Sequence, residues 1–188
     1  MVTAMATAQS VMTADEYAAL PDPHGYPTEL IKGNLVTLIH PMPRHGEICA
    51  RVSYILQRHL DDHPIGRVLI NDSGVITERD PDTVRGADIA YYSFRRVPQG
   101  PLSMSLLLVP PEIVFEVRSP NERWGKLHLK VAEYLNVGVL AVCVVDDDTR
   151  SVHVFRDDQP MRVFKAGDEF SLPDILGDFR VKVQRFFE

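Results

Sequence analysis

The segment Val139-Leu140-Ala141-Val142-Cys143-Val144-Val145 contains no polar residue. A strand with one face in water alternates in polarity, so an unbroken apolar run reads as a central strand covered on both sides. Counted from Val137, the run is nine residues long including Gly138, too short to cross a bilayer. A covered strand needs helices around it, and two amphipathic stretches supply them. Ile48, Val52, Ile55, Leu56 and Leu60 recur at helical spacing beyond Pro43, a helix of roughly four turns. Trp124, Leu127, Val131 and Leu135 form the buried stripe of a second helix, which starts near Asn121 and ends at Gly138.

The remaining elements follow from turn and capping signals. Thr13-Ala14-Asp15-Glu16 is a capping box, so a short helix runs to about Leu20 and stops at Pro21 and Pro23. Glu29–Ile31 and Leu35–Ile39 flank Lys32-Gly33-Asn34 as a β-hairpin. Short strands are expected at Val68–Asn71, Val75–Thr77, Ala87–Tyr92, Ile113–Val117, Ser151–Phe155 and Arg162–Phe164. This order predicts an α/β domain, a mixed β-sheet flanked by helices with an N-terminal β-hairpin. Residues 1–12 read as a loose tail and 13–188 as one domain, the usual count for 188 residues.

Charge and cysteine usage narrow the partners. The net charge of −6 argues against broad non-specific nucleic-acid binding. The window Arg85–Lys130 is nonetheless +3, which leaves −9 elsewhere, and a local basic surface can receive a polyanion. Cys49 and Cys143 have neither CxxC spacing nor a crowded framework, as suits buried thiols in a reducing compartment. No Lys or Arg precedes Lys32, so a signal peptide is not expected. A cytoplasmic address and no membrane partner are the default expectations.

Parity along Ile113–Arg118 points to the chemistry. Ile113, Phe115 and Val117 share one face; Glu112, Val114, Glu116 and Arg118 share the other. Glu116 and Arg118 thus stand side by side, and Asp88 sits among Ala87, Ile89, Ala90 and Tyr91, where an unpaired charge is costly. Two carboxylates on adjacent strands suit a hard cation such as Mg²⁺. From spacing alone, a solvated ion pair is the commoner arrangement. Lys130 lies along the edge of its helix stripe with Tyr134, and can lay its stem over apolar surface while sending its ammonium to a neighbouring site. Lys126 lies one turn back. His45 begins the first long helix. The other histidines, including His40, His59, His63, His128 and His153, show no metal-ligand spacing of the HExxH kind.

The chain resembles a known family. Glu29-Leu30-Ile31-Lys32-Gly33, His45-Gly46, Asp88-Ile89-Ala90, Phe115-Glu116-Val117-Arg118-Ser119-Pro120, Lys130 with Tyr134, and Gly138-Val139 running to Val145-Asp146 carry the resemblance. They stand in the order and spacing of the Uma-type restriction endonucleases of the PD-(D/E)XK nuclease superfamily. The resemblance implies a restriction-endonuclease-like core, Mg²⁺- or Mn²⁺-dependent hydrolysis of phosphodiester bonds in DNA, and a homodimer. It implies Asp88 and Glu116 as metal ligands and Glu29 as an auxiliary acid. Arg118 falls where the superfamily lysine stands, and Lys130 looks like its migrated replacement. His45, Lys126 and Tyr134 are the expected phosphate contacts.

Two departures stand out. Ala87 replaces the proline of the motif, and an arginine at 118 stays charged and cannot serve as a general base. The alternative is therefore a catalytically degenerate nuclease fold that binds nucleic acid or a protein partner. A metal-free glycosidase-like carboxylate pair is a third reading that nothing else in the chain supports.

Overall fold

The computed structural model describes residues 11–21, 26–119 and 122–188. Most of the expected tail, Pro23 and the helix start at Asn121 lie outside the described residues. In chain order the elements begin with α1 (Ala14–Ala18), the hairpin β1 (Thr28–Ile31) and β2 (Asn34–Thr37), and α2 (Pro43–Asp62). Then come β3 (Gly66–Glu78), β4 (Thr83–Ser93), β5 (Ile113–Arg118), α3 (Trp124–Asn136) and β6 (Ala141–Asp146). The chain closes with β7 (Ser151–Arg156), β8 (Gln159–Lys165), β9 (Glu169–Phe170), α4 (Pro173–Leu176), β10 (Val181–Lys182) and a 3₁₀ turn at Val183–Phe186.

Eight strands form the main sheet in the order β2-β1-β4-β5-β6-β7-β8, with β3 along β4. Only β5 and β6 run parallel, and α3 is the crossover helix that parallel pairing requires. All six residues of β6 are buried, the apolar Ala141–Val145 against both layers and Asp146 through its pair with Arg118, whereas Leu140, before the strand begins, is exposed. On one face, Ile48, Val52, Leu56 and Leu60 of α2 pack over Ile113, Phe115 and Val117. On the other, Leu127, Val131 and Tyr134 of α3 pack over Val114, Val142 and Val144. Each large apolar side chain so buried contributes about 1.5–3 kcal/mol. The alternating parity of β5 is therefore real, but both of its faces are covered. Among the described residues no helix is long and apolar enough to cross a membrane.

The local signals hold with two corrections. The Thr13–Glu16 capping box forms in full, and Met12 N–H donates to Gly33 O, tying the chain before α1 to the hairpin turn. The expected strands at Val68–Asn71 and Val75–Thr77 are one strand, β3. Its register with β4 shifts between Ile70 and Ser73, where Asn71 and Asp72 take left-handed backbone (φ 67° and 54°). Asn and Asp are the side chains that tolerate this conformation best, so the two residues bulge without ending the strand. The second correction is length: α2 has 20 residues, beginning with Pro43 in its first turn and outrunning the expected four turns.

The feature that positions the site is a fork along β4. One edge of β4 pairs with β3 throughout. The other is divided: β1 takes it at Val84 and β5 at Ile89–Tyr91. Between them Arg85, Gly86, Ala87 and Asp88 have no strand on that side.

Candidate active site

Side chains serve the backbone that the fork leaves bare. Gly86 N–H donates to Glu29 Oε1 at 3.1 Å. Gly86 O accepts from Lys130 Nζ at 2.9 Å and lies 3.3 Å from the Tyr134 hydroxyl. Across the gap, Val117 N–H donates to Asp88 Oδ2 at 2.7 Å in place of a strand carbonyl. The β4–β5 register ends at Ile89–Phe115, and its next pair would be Asp88 and Glu116. The two acids thus lie on adjacent strands where the ladder stops, near enough for the Asp88 charge to act on the Glu116 carboxyl. Gly86 is needed for the same closure. A Cβ there would come within 2.9 Å of Asp72 Cβ and 3.2 Å of Asp72 O, so glycine lets the β3 bulge fold down over β4.

Glu116 is 5% exposed, and both its oxygens are engaged. Lys130 Nζ donates to Oε2 at 2.8 Å and the Tyr134 hydroxyl to Oε1 at 2.9 Å. Lys130 and Tyr134 are four residues apart on α3 and so share the face turned to β5. Tyr134, an expected phosphate contact on the helix edge, is instead fully buried, with its hydroxyl committed to Glu116. Glu29 is also buried; Arg85 Nη1 holds it at 2.8 Å, and Lys130 stands 3.5 Å away. Arg85 reaches Glu133 of α3 with its other nitrogens, pinning the helix to the fork.

The charges interact strongly. Burial, reinforced by the Asp88 charge, pushes the Glu116 carboxyl up to about 8 against the pull of Lys130 and Tyr134. Burial and then Asp88 also raise Asp72, whose place on the bulge brings it to the cluster. For Lys130, burial opposes the charge, but Glu116, Glu29 and Asp88 outweigh it and hold the ammonium protonated.

His45, at the start of α2, lies beside Asp88. Its Nε2 is 3.2 Å from Asp88 Oδ2, and Nδ1 is 3.5 Å from Cys49 Sγ. Burial and the neighbouring acids push the Cys49 thiol up, so it keeps its proton beside the ring. Burial works against a charged His45 ring, yet Asp88, Asp72 and Glu116 raise its pKa overall. Arg118 does not pair with its strand neighbour Glu116. Its Nη1 donates to Asp146 Oδ1 and Asp148 Oδ2, both at 2.8 Å, and its guanidinium lies 5.4 Å from the Trp124 ring centre. Lys126 is exposed one turn before Lys130.

Asp88, Glu116, Lys130 and Glu29 therefore converge, joined by three residues to which sequence reasoning gave no such place. Asp72 lies at a bulge that no hydrophobic pattern marks. Arg85 reads as an ordinary basic residue, and Cys49 as a buried thiol. Once Arg85 has offset Glu29, the acids Asp72, Asp88 and Glu116 face one lysine and one histidine. Such an excess of acid suits a cation, although among the described residues the three donors of this site that lie within 4.8 Å of one another are His45, Cys49 and Asp88, with Asp72 and Glu116 outside that group.

A family model described as "Uma2: Putative restriction endonuclease" matches residues 14–184. Among solved structures, the chain is similar to a putative nuclease belonging to DUF820 from Anabaena variabilis ATCC 29413. The two share 20% identity and a TM-score of 0.80 over 94% of this chain and 97% of that one. At that identity the likeness shows the fold alone. No curated protein matches the sequence.

Proposed function

This chain belongs to the Uma2 family of putative restriction endonucleases, and from that membership we propose a divalent-metal-dependent endonuclease that hydrolyses phosphodiester bonds in DNA. The observation that carries the reading is the placing of Asp88 and Glu116 on adjacent strands at the end of the β4–β5 ladder, with the Lys130 ammonium on Glu116. Asp88 and Glu116 would hold Mg²⁺ or Mn²⁺. When bound, such an ion lowers the pKa of a water and polarises the scissile phosphate.

The chain's own groups do the rest. The Lys130 ammonium stays charged, so it orients Glu116 and offsets negative charge that develops on the phosphate, and takes no proton. It occupies the role that the superfamily lysine would have at position 118. Arg118 is held by two aspartates, so in this reading it stiffens the end of β5. Glu29 acts through Arg85 and the Gly86 amide, fixing the backbone that carries Asp88. His45 orients Asp88 from the opposite side, and with the exposed Lys126 is a proposed phosphate contact. A two-fold pair of copies would address both strands of a duplex, and two free cysteines suit a cytoplasmic setting.

A supercoiled-plasmid assay tests the reading. Open-circular and linear products should form with Mg²⁺ or Mn²⁺ and disappear with a chelator. Cleavage that survives chelation, or none with either ion, would overturn it. Light scattering should give a species of twice 21.2 kDa.

A further inference from the structure

At the end of α2 opposite His45, three side chains gather that the nuclease reading does not use. One ring nitrogen from each of His59 and His63 and one carboxylate oxygen of Asp178 all lie within 4.8 Å of one another. The sequence offers no HExxH motif here, yet His59 and His63 are four residues apart, and that i, i+4 spacing, which the missing glutamate masks, lets one helix face present both rings. The rings stack with centres 4.5 Å apart at 18°. Asp178 comes from the segment between α4 and β10.

Hydrogen bonding orients both imidazoles. His59 Nε2 is 3.1 Å from Leu176 O, and the ring sits edge-on to Phe179 with centres 5.2 Å apart. His63 Nδ1 is 3.2 Å from the His59 carbonyl oxygen, so the proton of a neutral ring lies on Nδ1 and Nε2 carries a lone pair. That Nε2 stands 3.7 Å from Asp178 Oδ2. Two lone-pair-bearing atoms turned towards each other repel unless a proton or a metal cation lies between them. A histidine with one nitrogen on a backbone carbonyl is also the usual arrangement of a metal-ligating imidazole. The setting favours positive charge, because this is the carbonyl end of a long helix, with Asp61 and Asp62 in its last turn.

We propose that His59, His63 and Asp178 bind a borderline divalent transition-metal ion of the Zn²⁺ class, clamping the end of α2 to the segment before β10. Two imidazoles and one carboxylate are a donor set that Zn²⁺ accepts and Mg²⁺ does not favour. Tetrahedral coordination draws donors to about 3.3 Å apart. The half-exposed His63 and the exposed Asp178 are free to make that adjustment, and water fills the remaining position.

The test uses Zn²⁺ alone, by titration calorimetry and thermal denaturation of the full chain. It is run on wild type and on a Cys49→Ser/Asp88→Asn background, which removes two of the three donors in the separate His45–Cys49–Asp88 cluster. The background should still bind one Zn²⁺ and melt at a higher temperature with it. Mg²⁺ should produce neither effect. His63→Ala and Asp178→Asn, each added to that background, should weaken Zn²⁺ binding at least tenfold and abolish the thermal shift. Two results would overturn the site: no Zn²⁺ uptake by the background, as for a His63–Asp178 bridge carried by a proton alone, or uptake indifferent to both substitutions. No cleavage is read, so this outcome and that of the nuclease reading remain separable.

Discussion

Asp88→Asn and Glu116→Gln should each lower plasmid cleavage by about a thousandfold or more. The loss corresponds to the several kcal/mol of charge stabilisation that a correctly held cation provides. Asp88→Asn keeps an acceptor for the Val117 amide, and Glu116→Gln keeps one acceptor oxygen for the two donors Lys130 and Tyr134, whose other contact, Gly86 O, is untouched, so the fold should persist. Stability should move the other way for Glu116→Gln. The Glu116 carboxyl is raised from 4.5 to about 8. Its neutral form therefore supports the fold fully below the ordinary value, and that support is lost as the pH climbs towards 8. The gain of Gln over Glu, small at pH 5, should grow up to about pH 8 and then level off in urea melts. Equal cleavage by wild type and Glu116→Gln would remove this pair from the reaction.

Lys130→Met should reduce the cleavage rate by about a hundredfold, the loss expected for one preorganised charge donor. It should also destabilise the protein by about 3 kcal/mol at pH 8.5, since Glu116, Glu29 and Asp88 lose their shared cation. At pH 5.5 Glu116 takes up a proton instead, so the cost should shrink. Urea melts at the two pH values check the sign. A loss of stability that does not change with pH would mean that Lys130 acts through packing of its stem and not through its charge. Metal affinity, read by Mn²⁺ titration above pH 8, should change much less than in Asp88→Asn.

Local patterns foretold much of this architecture. The apolar run is buried from Ala141 to Val145, Gly138 follows the end of α3 with φ 94°, and the Thr13 box caps α1. Each of these is decided within a few residues of chain. Asp88 and Glu116 were legible for a related reason: a charge amid strand-forming apolar residues is conspicuous. What pattern could not reveal depends on partners far along the chain. Tyr134 reads as the rim of a helix stripe, because only the buried Glu116 opposite explains a phenol in the core. Arg118 looks adjacent to Glu116, yet Asp146 and Asp148, on the neighbouring parallel strand and its turn, take its charge. Asp72 was hidden by a bulge whose closure depends on a glycine in a different strand.

The fork in β4 also bears on when the protein acquires its chemistry during folding. Glu29 arrives on β1, Asp88 on β4, Glu116 on β5 and Lys130 on α3, and the bare stretch Arg85–Asp88 is satisfied only when all four have docked. Contacts of such sequence separation carry a loop-closure cost and tend to form late. A nascent chain that has emerged only as far as β5 holds acids with no lysine to order them. The backbone that the fork leaves bare is therefore satisfied only once the last of these long-range contacts is made.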